Sequence, residues 1–124
     1  MDDTSATILV VDDDEFTAEL TGFILESAGY STVIAEGGLD ALEKMAADPT
    51  VRIVVSDMNM PFMDGVQLFA KFREQGYQQP FVLLTGEDAA PLRLAHPDLA
   101  AVLTKDEQLQ EILPGMVESL LSRN

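Results

Sequence analysis

Residues 51–65 read Val-Arg-Ile-Val-Val-Ser-Asp-Met-Asn-Met-Pro-Phe-Met-Asp-Gly. The apolar run Val51, Ile53, Val54 and Val55 scarcely alternates, which marks a strand buried on both faces. It ends on Asp57, and Pro61 and Gly65 then mark a loop. An aspartate just past a buried strand is a side chain presented at the rim of a sheet. Alone it would read as a turn residue or a helix cap. Asp57 is not alone.

Upstream, Ala6–Val11 is a second short apolar run, and it ends in Asp12-Asp13-Asp14-Glu15. From Asp14 to Ala28 the apolar residues Phe16, Leu20, Phe23, Ile24 and Leu25 recur at helical spacing, and Gly29 stops the helix. Ser31–Ala35 reads as a strand. Residues 38–47 place Leu39, Leu42 and Met45 on one helical face before Pro49. Downstream, a third helix follows Asp64-Gly65 and stops at Gly76. Phe81–Leu84 is a strand ending in Thr85-Gly86, and Pro91 and Pro97 leave room for only a short helix. Leu99–Leu103 is a fifth strand, ending at Thr104-Lys105. The last helix carries Leu109, Ile112, Leu113, Met116, Val117, Leu120 and Leu121 on one stripe. Pro114-Gly115 falls inside it and predicts either a kink there or a start close to Leu113.

The chain has 124 residues, enough for one domain with one core. With 47% hydrophobic residues the composition is globular. It has no cysteine, which excludes disulfides and thiolate metal sites and fits a reducing compartment. The acidic, polar start Met-Asp-Asp-Thr-Ser is unlike a signal peptide, and no apolar run approaches a membrane span. The expectation is a soluble, cytoplasmic protein with no membrane partner. Net charge is −15 with only seven Lys and Arg, so no basic patch exists to hold a phosphate backbone. Direct nucleic-acid binding is not expected.

Strands alternating with helices predict an α/β, doubly wound domain with helices on both faces of a five-stranded sheet. Right-handed crossovers make the sheet parallel and bring every strand's C-terminal end to one edge. Asp12, Asp13, Asp57, Thr85 and Lys105 all fall on that edge, where such sheets bind ligands. If the strands before Asp12 and Asp57 are neighbours, three carboxylates crowd one cleft. Two like charges about 4 Å apart repel by roughly 4 kcal/mol at a surface-like dielectric. Oxygen-only ligands suit Mg²⁺, with Mn²⁺ as the other candidate. Three carboxylates, one lysine and one such cation sum to neutrality. A carboxylate can attack phosphorus to give an aspartyl phosphate, with the metal and Lys105 neutralising the phosphoryl oxygens and Thr85 bonding a third.

On these residues the chain resembles a response-regulator receiver domain of two-component signalling, from about Thr7 to Leu121. The Met-Pro-x-Met-Asp-Gly run at 60–65 is typical of that family. The resemblance implies a single receiver domain over 1–124 of the flavodoxin- and CheY-like kind, with strand order 2-1-3-4-5. It implies Mg²⁺ held by Asp12, Asp13, Asp57 and the backbone carbonyl of Asn59, and phosphorylation of Asp57. Thr85 matches the switch hydroxyl, Gly86 the small residue after it, and Lys105 the family's lysine. A sensor histidine kinase, a phosphotransfer protein or a small molecule would donate the phosphoryl group. A downstream effector or a second receiver would dock at the strand-5 edge and its flanking helices. The domain would be a signalling switch that catalyses only its own phosphorylation and dephosphorylation.

Two positions depart from the family pattern. Asp106 stands where proline in a cis bond usually follows the lysine; a non-proline cis bond costs about 2.5–4 kcal/mol, which predicts a trans bond and an altered turn. Val102 stands where Tyr or Phe usually swings, so the signal is expected to pass through a reordering of residues 86–98 with Val102 in place. These departures also suit a degenerate receiver acting as an unphosphorylated interaction module. A haloacid-dehalogenase-like phosphohydrolase would use Asp12 and Asp14, but Phe16 breaks its motif. A flavodoxin-like carrier would need a Gly- or Ser/Thr-rich phosphate loop after the first strand, and none follows it here.

Overall fold

A computed structural model of the chain describes residues 6–122. Five parallel strands form one sheet in the order β2-β1-β3-β4-β5. They are β1 (Thr7–Val11), β2 (Ser31–Ala35), β3 (Val51–Asp57), β4 (Phe81–Thr85) and β5 (Ala101–Thr104). Between and after them run α1 (Glu15–Ser27), α2 (Gly38–Ala47), α3 (Gly65–Glu74), α4 (Ala90–Ala95) and α5 (Leu109–Ser122).

The non-alternating runs of β1, β3 and β4 belong to the three central strands, which helices cover on both sides. Alternate side chains divide the core in two. Ile8, Val10, Ile53, Val55 and Leu84 face Leu25 of α1 and Leu113, Val117 and Leu121 of α5. Leu9, Val11, Val54 and Leu83 face Met45 of α2 and Leu68 and Phe72 of α3. Phe72 and Phe81 meet edge-on at 6.0 Å between ring centroids, a preferred aromatic geometry.

The starts of α1, α3 and α5 follow the side chains that satisfy them. Asp14 caps α1, its carboxylate accepting from Phe16 N at 3.3 Å and from Thr17 Oγ1 at 2.6 Å. Asp64 and Gln67 form a reciprocal capping box that starts α3 directly after the Asp57 loop. Pro114 neither starts nor ends α5, which begins at Leu109. The 105–106 bond is trans, as are all peptide bonds among the described residues. Asp106 takes over the start of α5: its carboxylate accepts from Gln108 N at 2.9 Å and its carbonyl from Leu109 N at 3.1 Å.

Three expectations need correction. The fifth strand begins at Ala101, because Leu99 sits in a turn, its N–H bonded to His96 O at 3.2 Å. In α1 the buried face is Ala18, Thr21, Gly22 and Leu25, while Phe16, Leu20 and Phe23 are exposed. In α2 it is Gly38, Ala41 and Met45, and Leu39 is exposed. In α2 a small residue wins the inner face because it lets the helix rest close on Met63: a Cβ on Gly38 would lie only 2.6 Å from Met63 Sδ, whereas one on Gly22 of α1 would make ordinary contact with Ile34 Cδ1 at 3.6 Å.

Phe62, in the loop after β3, has φ 69° and is the single non-glycine residue with positive φ among those described. The left-handed region costs an L-residue about 1–2 kcal/mol, and glycine returns roughly 0.5–1 of that through its freer unfolded chain. The ring is fully exposed, so removing it forfeits no burial. Phe62→Gly should therefore raise stability by about 0.5–1 kcal/mol, read as a higher urea midpoint at unchanged slope. A lower midpoint would mean that the ring is packed.

Candidate functional site

β1 and β3 are neighbours with Val11 opposite Ser56, so Asp12 and Asp57 leave the sheet side by side. Both are buried; the Asp12 side chain is 4% exposed and that of Asp57 10%. Asp13 is exposed beside them. One carboxylate oxygen from each of the three lies within 4.8 Å of the others, the spacing of a cation site.

Lys105 reaches this cluster from β5, two strands away from β3. Its backbone N–H is pinned to Thr85 O at 2.7 Å, and its stem carries Nζ to Asp57 Oδ1 at 2.8 Å and Asp12 Oδ2 at 3.2 Å. The remaining oxygen of Asp12 accepts from Asp14 N at 2.9 Å. Burial raises the Asp12 carboxyl above its ordinary range, and the Asp57 charge adds to this against the Asp14 hydrogen bond and Lys105. For Lys105, burial works against the charge, but the Asp57 hydrogen bond and the charges of Asp12 and Asp57 outweigh it, so its pKa is raised. The ammonium is thus a fixed cation between two buried carboxylates.

Thr85 ends β4, buried, with its Oγ1 accepting from Glu87 N at 3.1 Å. Gly86 follows it, exposed, and Asn59 is exposed in the loop two residues past Asp57. Val102 is buried on β5, and its carbonyl accepts from Arg93 Nη2 at 2.8 Å and Nε at 3.2 Å. This tie holds the short α4 to β5, and nothing in the spacing of Arg93 announces it. A groove of about 430 Å³ opens beside it, lined by Arg93, Leu99, Val102, Leu103 and Met116. Gly65 was legible as a loop marker but has a second role. A Cβ there would lie 2.6 Å from the Asp57 carbonyl oxygen and 3.2 Å from Met58 Cα, so only glycine lets α3 start this close to the acid.

The sheet order coincides with that of a known family. Residues 8–115 match the family model described as "Response regulator receiver domain". The chain belongs to that family. It is a receiver domain of the two-component response regulators, a signalling module rather than a metabolic enzyme. It is 36% identical over 121 residues to the response regulator MprA of Mycobacterium bovis, covering 96% of this chain and 52% of that protein. The chain thus spans about half the length of the curated relatives it matches. The response regulator TrrA of Thermotoga maritima, solved in complex with Mg²⁺-BeF, is 28% identical with a TM-score of 0.82, covering 93% of this chain and 98% of that one. A receiver domain protein from Clostridium thermocellum shares the fold at 21% identity and a TM-score of 0.85, with 95% of each chain covered. Membership in this family displaces the phosphohydrolase and flavodoxin-like readings. No helix among the described residues is long and apolar enough to cross a membrane.

Proposed function

We propose that Asp57 is the phosphoacceptor of a receiver domain whose core runs from about residue 7 to 121, and that the site works with a bound divalent cation. The observation that carries this is the contact of Lys105 with both Asp57 and Asp12 inside a three-carboxylate cluster. An all-oxygen donor set with one exposed and two buried carboxylates fits Mg²⁺, or Mn²⁺ in its place. Asp12, Asp13, Asp57 and the Asn59 carbonyl would hold it. When bound, the cation supplies positive charge against the phosphoryl oxygens.

The residues of the chain do the rest. An Asp57 carboxylate oxygen attacks phosphorus, a P–O bond forms, and the bond to the donor's imidazole nitrogen or acyl oxygen breaks with its electron pair leaving on the donor. Lys105, already 2.8 Å from Asp57, meets the negative charge that arrives. The Thr85 hydroxyl accepts from Glu87 N and keeps its own proton to donate to a phosphoryl oxygen, so a movement of Thr85 toward the phosphoryl group would pull on the start of the 86–98 segment. Val102 stays in place, so the change is read through α4 and its Arg93 tie, beside the groove on the β5 edge. That face suits a downstream effector or a second receiver; a histidine kinase or phosphotransfer protein would be the donor. The intact charge set speaks against an unphosphorylated interaction module.

Asp13 should be the main carboxylate ligand, because Lys105 and Asp14 N already engage Asp12. Isothermal titration should show Asp13→Ala losing most Mg²⁺ affinity. Since burial raises the Asp12 carboxyl, affinity should also begin to fall at a higher pH than two ordinary aspartates would give. Unchanged affinity in Asp13→Ala would overturn this ligand assignment.

A further inference from the structure

Lys105 reaches Asp57 and Asp12 on a flexible stem, so its Cα has to be fixed for the ammonium to stay between them. Upstream, the Lys105 N–H is bonded to Thr85 O at 2.7 Å. Downstream, the fixing falls to Asp106. Its N–H donates to Thr104 O at 3.0 Å, which closes a tight turn with Lys105 at its centre. Its carboxylate Oδ1 accepts from Gln108 N at 2.9 Å, and its carbonyl accepts from Leu109 N at 3.1 Å. Leu109 opens α5 and is buried in the core, so the turn is tied to a fixed body. Asp106 itself is exposed and makes no ion pair among the described residues, so its carboxylate acts on the turn and not on the acid cluster.

We propose that Asp106 is a positioning residue for phosphoryl transfer at Asp57: its carboxylate ties the turn centred on Lys105 to the start of α5, and so sets where the ammonium stands when the phosphoryl group arrives. The inference rests on the phosphoacceptor reading of Asp57. In the resting site the two acids help to hold the ammonium, at 2.8 and 3.2 Å. On uptake an Asp57 oxygen becomes bonded to phosphorus, and Lys105 exchanges a carboxylate partner for a phosphoryl oxygen. A long side chain on a loose backbone would gain freedom at that moment, and the ammonium would drift from the charge it has to meet. Bonds made outside the cluster do not change during the exchange, and Asp106 supplies them. Most residues could offer the N–H and the carbonyl. The bond from Gln108 N needs a short side chain with an acceptor, which Asp and Asn have and Ala lacks.

The test is the rate of phosphoryl uptake from acetyl phosphate at saturating Mg²⁺, measured on the whole chain. Asp106→Ala should lower the limiting rate by about tenfold, part of the roughly 10²-fold that an ångström of misplacement costs. The half-maximal acetyl phosphate concentration and the Mg²⁺ affinity should not move, because Asp106 touches neither. Asp106→Asn keeps the acceptor without the charge and should stay within about twofold of the unaltered chain. In a Lys105→Met background, adding Asp106→Ala should change uptake by less than about twofold, since the residue acts through the lysine. A full rate in Asp106→Ala would overturn the proposal. So would a loss in Asp106→Asn as large as in Asp106→Ala, or the same loss with and without Lys105. Urea unfolding in the absence of Mg²⁺ runs the same cycle with no phosphoryl transfer. The drop in midpoint caused by Lys105→Met should be about half as large in Asp106→Ala as in the unaltered chain, and an equal drop would also overturn the proposal. Failure of acetyl phosphate to label Asp57 in the unaltered chain would instead remove the phosphoacceptor reading, and the proposal with it, whatever the urea cycle gave.

Discussion

Replacing Lys105 by methionine should destabilise the metal-free protein by about 3 kcal/mol, the lower end for breaking a buried ion pair. The low end applies because the Lys105 side chain keeps 22% of its exposure. Methionine preserves most of the stem, so the loss isolates the charge. Without it, Asp12 and Asp57 face each other with no cation between them, at 4% and 10% exposure. The pH dependence follows from the raised pKa of Lys105. Its contribution is fully present below the ordinary lysine pKa of about 10.4 and is lost as pH rises through the higher folded value. The gap between the two proteins should therefore close in strong alkali. It should also narrow in Mg²⁺, because a cation at the cluster takes over the neutralising role and binds the variant more tightly. Saturation at 100 times the dissociation constant is worth about 2.7 kcal/mol. Urea unfolding with and without Mg²⁺ reads both effects. A gap indifferent to Mg²⁺ would mean that lysine and metal do not share the same carboxylates.

Gly65→Ala should do comparable damage for a steric reason. The new Cβ meets the Asp57 carbonyl oxygen at 2.6 Å and Met58 Cα at 3.2 Å, and it also strikes the Leu83 side chain. Two of the three obstacles are backbone, and neither end can yield easily. Gly65 N is bonded to Met58 O at 2.8 Å, and Asp64 is locked in its capping box. A loss of about 2–3 kcal/mol is expected, at the upper range for overpacking. The strain falls on the segment that carries Asp57, so phosphoryl uptake should also fall, by about 10²-fold if the carboxylate moves by an ångström. Gly76→Ala is the control. Gly76 has φ 92° and open space around it, so its substitution should cost about 1 kcal/mol of strain and leave uptake alone. Equal uptake in Gly65→Ala and the parent would show that α3 can retreat without moving Asp57.

The strand ends were readable because each carries an apolar run that stops on a chemical group. Asp12, Asp57, Thr85 and Lys105 thus fell on one edge once the sheet was taken as parallel, and the register of β1 against β3 sets the two acids side by side. Helical faces were less readable. Periodicity finds the apolar stripe, but it cannot tell whether Phe16, Leu20 and Phe23 or Ala18, Gly22 and Leu25 face inward when small residues permit close packing. The same ambiguity misplaced Leu39. Leu99 was drawn into β5 by its hydrophobicity, though it is buried from a turn. The Arg93 tie to Val102 and the left-handed backbone at Phe62 depend on tertiary placement, and no spacing in the chain encodes either.

All of this turns on one group, the carboxylate of Asp57. The chain should be incubated with acetyl phosphate and Mg²⁺, digested, and the acyl phosphate located by mass spectrometry after borohydride trapping. One adduct is expected, at Asp57, dependent on Mg²⁺ and lost in Asp57→Asn. An adduct at Asp12 or Asp13 in the unaltered chain, or equal labelling of Asp57→Asn, would contradict that expectation.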